Sequence, residues 1–217
     1  MKNNQLKKFK NKLSESCVLG TFSKTSDSNF IEIIGHANFD FVIIDLEHSP
    51  NSYSTAKNHI IAAENNNLIP IVRTPTNSED HIKKALDIGA YGIQVPNISD
   101  AEDAKNIIKL AKFYPIGERG VCRFVRGADF SKKSKESFFK DSNDLLVIIH
   151  IEGISAINNL DNILNVQGVD VIFVGPYDLS QALGCPGEVN SKKVIDEMNA
   201  IIEKAKSKNV STGIFAD

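Results

Sequence analysis

Acidic residues follow two of the apolar, β-branched runs of this sequence, and their type suits metal binding. Glu152 comes at the end of the run that begins at Leu145, and Asp178 comes shortly after the run Val171–Gly175. Neighbouring strands lie about 4.8 Å apart, so carboxylates at the ends of adjacent strands can share one hard cation. Two carboxylates with open positions for water and substrate oxygens are a set that Mg²⁺ or Mn²⁺ prefers.

Other runs end in residues suited to proton transfer and to the stabilisation of an anion. His48 is a candidate general base, and either Asp45 or Glu47 could orient its ring. Arg73 could stabilise an enolate or bind a carboxylate. Each of these residues also has an ordinary structural role, and only their joint placement at strand ends favours a site. An imine mechanism would need a strand lysine, and its absence from the predicted strands favours metal-assisted enolisation.

Seven apolar runs alternate with amphipathic stretches, which is typical of parallel βα units. Their spacing predicts one (β/α)₈ barrel domain over residues 1–217, in which the site lies at the carboxyl ends of the strands. Ser99 and Glu102 are predicted to form the capping box of the helix that follows the fourth strand. The predicted strands are Val18–Phe22, Phe41–Asp45, Ile69–Arg73, Gly92–Pro96, Leu145–Glu152, Val171–Gly175 and Ser211–Ala216.

Composition excludes several classes of protein. The 217 residues carry 25 Lys and Arg against 27 Asp and Glu, a net charge of −2, which argues against nucleic-acid or anionic-membrane binding. Three cysteines without CxxC spacing indicate free thiols in a reducing compartment. No apolar stretch reaches the ~18 residues of a membrane span. The expectation is a soluble, cytoplasmic protein.

Five segments of the sequence carry a family resemblance: Phe41–His48, Ile71–Arg73, Gly89–Pro96, Tyr114–Gly120 and Val174–Ser180. Together they resemble the HpcH/HpaI family of metal-dependent pyruvate aldolases. The resemblance implies a phosphoenolpyruvate/pyruvate-type (β/α)₈ barrel that reversibly cleaves a 4-hydroxy-2-oxo acid into pyruvate and an aldehyde. It also implies a homo-oligomer, a hexamer in this family, and a cofactor of Mg²⁺ or Mn²⁺, with Co²⁺ as a further option.

The resemblance also implies a role for each matching residue. Glu152 and Asp178 match the metal ligands, and Arg73 matches the residue that stabilises the enolate of pyruvate. His48 matches the base that takes the 4-hydroxyl proton, with Asp45 as its partner.

Substrate contacts are implied at five further positions: His150, Gly175, Pro176, Tyr177 and Ser180. The turn at Gly175 and Pro176 resembles the cradle for the pyruvate carboxylate. His150 stands where the family often has glutamine, so the pH profile and substrate preference are expected to differ.

Two further features depart from the family pattern. The segment Arg119–Arg126 is rich in arginine and is expected to contact an anionic group on the substrate or on a neighbouring subunit. The chain ends at Asp217, where the family continues into an eighth βα unit, so the barrel is expected to lack that unit. Two alternatives to the aldolase stay open: an oxaloacetate decarboxylase or citrate-lyase-like carbon–carbon lyase, and a degenerate, non-catalytic barrel.

Overall fold

The computed structural model describes residues 2–216 and confirms an α/β fold with parallel strands. All seven predicted strands are present, and those at Phe41–Asp45 and Ile69–Arg73 have the predicted bounds. The strands are β1 Gly20–Ser23, β2 Phe41–Asp45, β3 Ile69–Arg73, β4 Gly92–Val95, β5 Leu146–Ile151, β6 Val171–Val174 and β7 Ser211–Ile214.

Helices follow most of the strands. They are α1 Lys2–Glu15, α2 Ser28–His36, α3 Tyr53–Asn65, α4 Glu79–Asp87, α5 Ala101–Ala111, α6 Lys135–Asn143, α7 Ile154–Asn158, α8 Leu160–Leu164, α9 Pro176–Ala182 and α10 Lys192–Ser207, with a 3₁₀ segment at Arg126–Ser131. None of the described helices is long and apolar enough to cross a membrane. The three cysteines are free, as predicted.

The chain divides into two compact units, which are described separately. Unit 1 contains the described residues up to Gln94 together with Lys109–Leu146. Its strands follow the order β1-β2-β3-β4. Every residue of β3 and β4 is buried, which explains why these strands are apolar apart from Arg73 in β3 and Gln94 in β4. The register aligns Asp45 with Arg73, and Arg73 with Gln94, so these three residues form one row at the carboxyl ends of β2, β3 and β4.

The arginine-rich segment of unit 1 binds the chain's own carboxylates and carbonyls. Arg119 is almost fully buried and donates to Asp87 at 2.7 Å. Arg126 pairs with Glu64, and Arg123 donates to backbone carbonyls. Internal contacts therefore hold all three arginines, and a contact with a substrate or a second subunit stays a prediction.

Unit 2 contains Val95–Ile108 and the described residues from Val147 onward. Its strands follow the order β5-β6-β7, with His150 aligned to Phe173. The predicted capping box is displaced by one residue: Asp100 accepts the N–H groups of Glu102 and Asp103, and Asp103 reaches back to the N–H of Ser99. Asp100 is the residue that caps α5, since it lies directly before the first helical residue.

Candidate active site

In unit 1, Asp45 fixes both a guanidinium and a turn. Its Oδ1 accepts Arg73 Nε at 2.9 Å, and its Oδ2 accepts Arg73 Nη2 at 2.6 Å. Oδ1 also accepts the backbone N–H groups of Glu47 at 2.9 Å and His48 at 3.2 Å. One fully buried carboxylate therefore orients the arginine of β3 and shapes the chain that carries the candidate base.

The charge of Asp45 is stabilised by these donors. Burial alone would raise the pKa of this carboxyl group, but the hydrogen bonds and positive charge of Arg73, together with the N–H groups of His48 and Glu47, lower it below its usual range. Asp45 is therefore ionised at neutral pH. It forms a two-pronged, charge-assisted pair with Arg73 that is nearly excluded from water.

Arg73 is held on three sides. Its Nη1 lies 3.2 Å from Glu47 Oε2, and its guanidinium carbon lies 4.8 Å from the centre of the Phe22 ring. A guanidinium carries five N–H groups. The contacts with Asp45 and Glu47 use three of them, so two remain for a ligand.

The carboxylate next to the His48 ring belongs to Glu47, which corrects the predicted partnership with Asp45. The distance from His48 Nε2 to Glu47 Oε2 is 3.7 Å, whereas Asp45 contacts only the backbone of His48. The His48 side chain is 62% exposed and is free to meet a substrate from solvent. Glu47 Oε2 thus lies between the imidazole and the guanidinium of Arg73.

Sequence reasoning missed two residues of unit 1. Lys24 directly follows β1, and its Nζ lies 3.9 Å from Asp45 Oδ2. Gln94 lies within the predicted strand Gly92–Pro96, and no feature of the sequence assigned it a role. It is fully buried, and both polar atoms of its amide lack a hydrogen-bond partner among the described residues. The register with Arg73 is the signal that could have drawn attention to it.

In unit 2, both oxygens of the Glu152 carboxylate have a partner. Its Oε1 accepts the N–H of Asn97 at 3.0 Å, and its Oε2 lies 2.8 Å from His150 Nδ1. The His150 ring stacks on Phe173 with the ring centres 5.1 Å apart. Its other nitrogen, Nε2, is buried without a hydrogen-bond partner within the described residues. His150 thus positions Glu152 through Nδ1, and its Nε2 is available to a ligand.

Gly175 brings Glu152 and Asp178 together. It lies before α9, whose first turn contains Pro176 and Asp178. A Cβ atom added to Gly175 would lie 3.2 Å from Glu152 Oε2 and 3.6 Å from Asp178 Oδ2, so the two oxygens lie within about 7 Å of each other. A side chain here would intrude on the space between the carboxylates, which only glycine leaves open.

Glu152 and Asp178 are residues that could hold a hard divalent cation. Two carboxylate oxygens are the ligands that Mg²⁺ and Mn²⁺ take from proteins, with water and substrate oxygens completing the shell. No group of three or more His, Cys, Asp or Glu side chains in residues 2–216 is arranged to hold a metal. A site with two protein ligands agrees with both observations.

The remaining predicted contacts follow Gly175 in α9. Pro176 is buried, and the side chain of Tyr177 is half exposed. Ser180 is fully buried; its Oγ donates to the carbonyl of Tyr177 at 2.6 Å and accepts the N–H of Gly187 at 2.9 Å. The hydroxyl group of Ser180 therefore holds the end of α9 to the following loop rather than facing a ligand.

Known proteins place the chain in a family. The model of the HpcH/HpaI aldolase/citrate lyase family matches residues 19–216. A 5-keto-4-deoxy-D-glucarate aldolase of Enterobacter sp. (strain 638) is 34% identical over 96% of this chain and 82% of its own length.

Two solved structures support the same family assignment. A HpcH/HpaI aldolase/citrate lyase family protein from Burkholderia cenocepacia J2315 has a TM-score of 0.90 at 29% identity, covering 96% of this chain and 84% of that one. The citrate synthase SbnG has a TM-score of 0.85 at 31% identity, covering 95% of this chain and 81% of its own.

The chain therefore belongs to the HpcH/HpaI aldolase/citrate lyase family. It is an enzyme of the carbon–carbon lyase class.

Proposed function

We propose that this protein is a metal-dependent pyruvate aldolase of the (β/α)-barrel type. It reversibly cleaves a 4-hydroxy-2-oxo acid into pyruvate and an aldehyde. The observation that carries the proposal is the approach of Glu152 and Asp178 to the open space at Gly175, in a chain whose family consists of aldolases and citrate lyases. Homo-oligomeric assembly and a cytoplasmic location belong to the same proposal.

Glu152 and Asp178 would hold the cation, Mg²⁺ or Mn²⁺, with Co²⁺ as a further option. When bound, the cation would polarise the 2-oxo group and offset the charge that develops as the carbon–carbon bond breaks. His150 fixes Glu152 through Nδ1, and its second nitrogen can meet the substrate. Gly175 leaves space for the ligand, and the N–H groups at the start of α9 suit a carboxylate.

The residues of unit 1 would move the proton and stabilise the anion. His48 takes the proton of the 4-hydroxyl group, the C3–C4 bond breaks, and the aldehyde leaves. The electron pair stays on the three-carbon fragment until C3 is protonated to give pyruvate. Arg73 directs its two remaining N–H groups at that negative charge, because Asp45 and Glu47 hold its other three.

The likeness to a citrate synthase favours one second candidate, a citrate-lyase-like or oxaloacetate-decarboxylating enzyme. The base separates the two functions, since decarboxylation has no 4-hydroxyl proton to remove. In an aldolase, His48→Ala should lose retro-aldol cleavage by about 10²-fold or more and keep decarboxylation of oxaloacetate. An equal loss of both activities would contradict the role of His48.

Metal binding can be tested without turnover. Electron paramagnetic resonance of Mn²⁺ should show one tight site in the wild type and none in Glu152→Gln or Asp178→Asn. Glu118→Gln is a matched control, because this exposed carboxylate pairs only with Lys109 in the described part of the chain. If the Glu152 and Asp178 variants bound Mn²⁺ as the wild type does, the metal assignment would be wrong.

A further inference from the structure

The ammonium group of Lys24 lies beside the Asp45–Arg73 pair without a hydrogen bond to it. The last register pair of β1 and β2 joins Ser23 to Ile44, so Lys24 extends the row in which Asp45 and Arg73 lie. Lys24 Nζ is 3.9 Å from Asp45 Oδ2, and its side chain is 56% exposed. Lys24 is therefore on the side of the strands that carries the proposed catalytic groups of unit 1.

Four hydrogen bonds engage Asp45, and none comes from Lys24. Oδ1 accepts Arg73 Nε and the N–H groups of Glu47 and His48, and Oδ2 accepts Arg73 Nη2. Lys24 Nζ lies 3.9 Å from Oδ2, which is beyond hydrogen-bond distance. The Lys24 ammonium is therefore attracted to Asp45 by charge, and its three N–H groups can bind water or a ligand.

Lys24 and Arg73 differ in what they can still bind. Arg73 is 10% exposed and is engaged by two carboxylates and by Phe22. Lys24 is more than half exposed, and its ion pair with Asp45 is the only one that it makes within the described residues. An anionic group on a ligand could replace water at Lys24 without displacing the pair beneath it.

We propose that Lys24 determines substrate specificity by binding an anionic group, a carboxylate or a phosphate, on the aldehyde fragment of the substrate. The inference rests on the proposed aldolase function. In that function, Glu152, Asp178 and Arg73 serve the 2-oxo acid end of the substrate. His48 acts at the 4-hydroxyl carbon, which becomes the aldehyde. The register orders the row as Lys24, Asp45 and Arg73, so Lys24 lies on the side of Asp45 away from Arg73. We therefore assign the ligand group that reaches Lys24 to the aldehyde side.

The test compares three aldehydes in aldol addition to pyruvate: uncharged D-glyceraldehyde, its 3-phosphate, and succinic semialdehyde, which carries a carboxylate. The measured quantity is the ratio of kcat/KM for each anionic aldehyde to kcat/KM for glyceraldehyde. Lys24→Met should lower this ratio about tenfold for at least one anion, the usual effect of losing a charge-assisted contact. The larger drop in this ratio shows whether Lys24 binds a phosphate or a carboxylate. Lys24→Arg should restore most of the ratio.

A control variant tests whether the effect is specific to Lys24, and the kcat/KM ratios separate anion binding from simple charge balance. Lys57→Met removes an exposed lysine of α3 and should leave all ratios unchanged. If Lys24 only balances the charge of Asp45 and Glu47, its loss would change turnover of all three aldehydes by the same factor. An unchanged ratio in Lys24→Met would overturn the proposal.

Binding separates this inference from the proposed reaction. Calorimetric titration should show tighter binding of 2-oxoadipate than of 2-oxohexanoate. The two ligands have the same chain length, but 2-oxoadipate has two carboxylates and 2-oxohexanoate has one. We expect about a tenfold preference in the wild type and none in Lys24→Met. A wild-type chain with this preference but no turnover would refute the aldolase function alone, whereas a wild type without the preference would refute the role of Lys24.

Discussion

Asp45→Asn tests the organisation of unit 1, because this substitution keeps the shape of the side chain and removes its charge. The native carboxylate is fully buried, and the Arg73 side chain that it binds is 10% exposed. Removal of one partner from a buried ion pair costs roughly 3–5 kcal/mol. We expect about 3 kcal/mol, the lower end, since Glu47 still compensates Arg73 and the asparagine oxygen can still accept backbone N–H groups.

A loss of this size should lower the melting temperature by about 6–12 °C for a chain of this length. Urea denaturation followed by circular dichroism at pH 7 measures the free energy directly. The stabilisation depends on pH: Asp45 has a lowered pKa in the folded state, so its contribution is complete above the unfolded value of about 3.9. It disappears as the pH falls from there toward the folded value. The gap between wild type and variant should therefore be constant at neutral pH and narrow below about pH 4.

Asp80→Asn is the control, since Asp80 pairs with Lys84 on the surface of α4 and its loss should not measurably change stability. The reasoning about the buried pair would be refuted if Asp45→Asn cost no more than this control, or if the gap did not depend on pH.

Three other substitutions give further tests. Gln94→Met replaces two unpartnered buried polar atoms with a side chain of similar length and should raise the free energy of unfolding by about 1–3 kcal/mol. A free energy of unfolding below that of the wild type would show that the amide is satisfied. Burial lowers the pKa of His59 despite the opposing effects of Ser26 and Asp27, so protonation favours unfolding as the pH falls below 6.5. His59→Phe should therefore lose less stability than the wild type between pH 7 and pH 5, and parallel curves would contradict this. Glu47→Gln should reduce retro-aldol turnover about tenfold or more, with much less further loss when combined with His48→Ala; fully additive losses would show that Glu47 does not act through the histidine.

Local sequence was sufficient to predict β2 and β3, because nearly every residue of these two strands is buried. Phe41–Asp45 and Ile69–Arg73 are continuously apolar until a charged last residue, and the structure gives them the predicted bounds. Strand β1 was harder to place, since its apolar run ends at Phe22 but pairing with β2 continues through Ser23. Lys24 therefore directly follows β1, one position closer to the end of the strand than the sequence predicted.

Side-chain partners could not be predicted in the same way. Asp45 and Arg73 are 28 positions apart, and they meet only because the register of β2 and β3 aligns them. Because this register pairs Asp45 with Arg73, the carboxylate next to the His48 ring is that of Glu47. At α5, Ser99 and Asp100 are both able to cap a helix, and the choice of Asp100 depends on where the backbone leaves β4.

The most direct test of the central claim is turnover by the purified 217-residue chain. Pyruvate release from a panel of 4-hydroxy-2-oxo acids would be followed in a coupled assay, with Mg²⁺ or Mn²⁺ and then with excess EDTA. An aldolase that uses Glu152 and Asp178 predicts release that requires the metal and disappears in Glu152→Gln. A folded, metal-bound sample that released no pyruvate from any member of the panel would contradict the proposal and favour the citrate-lyase-like or non-catalytic alternative.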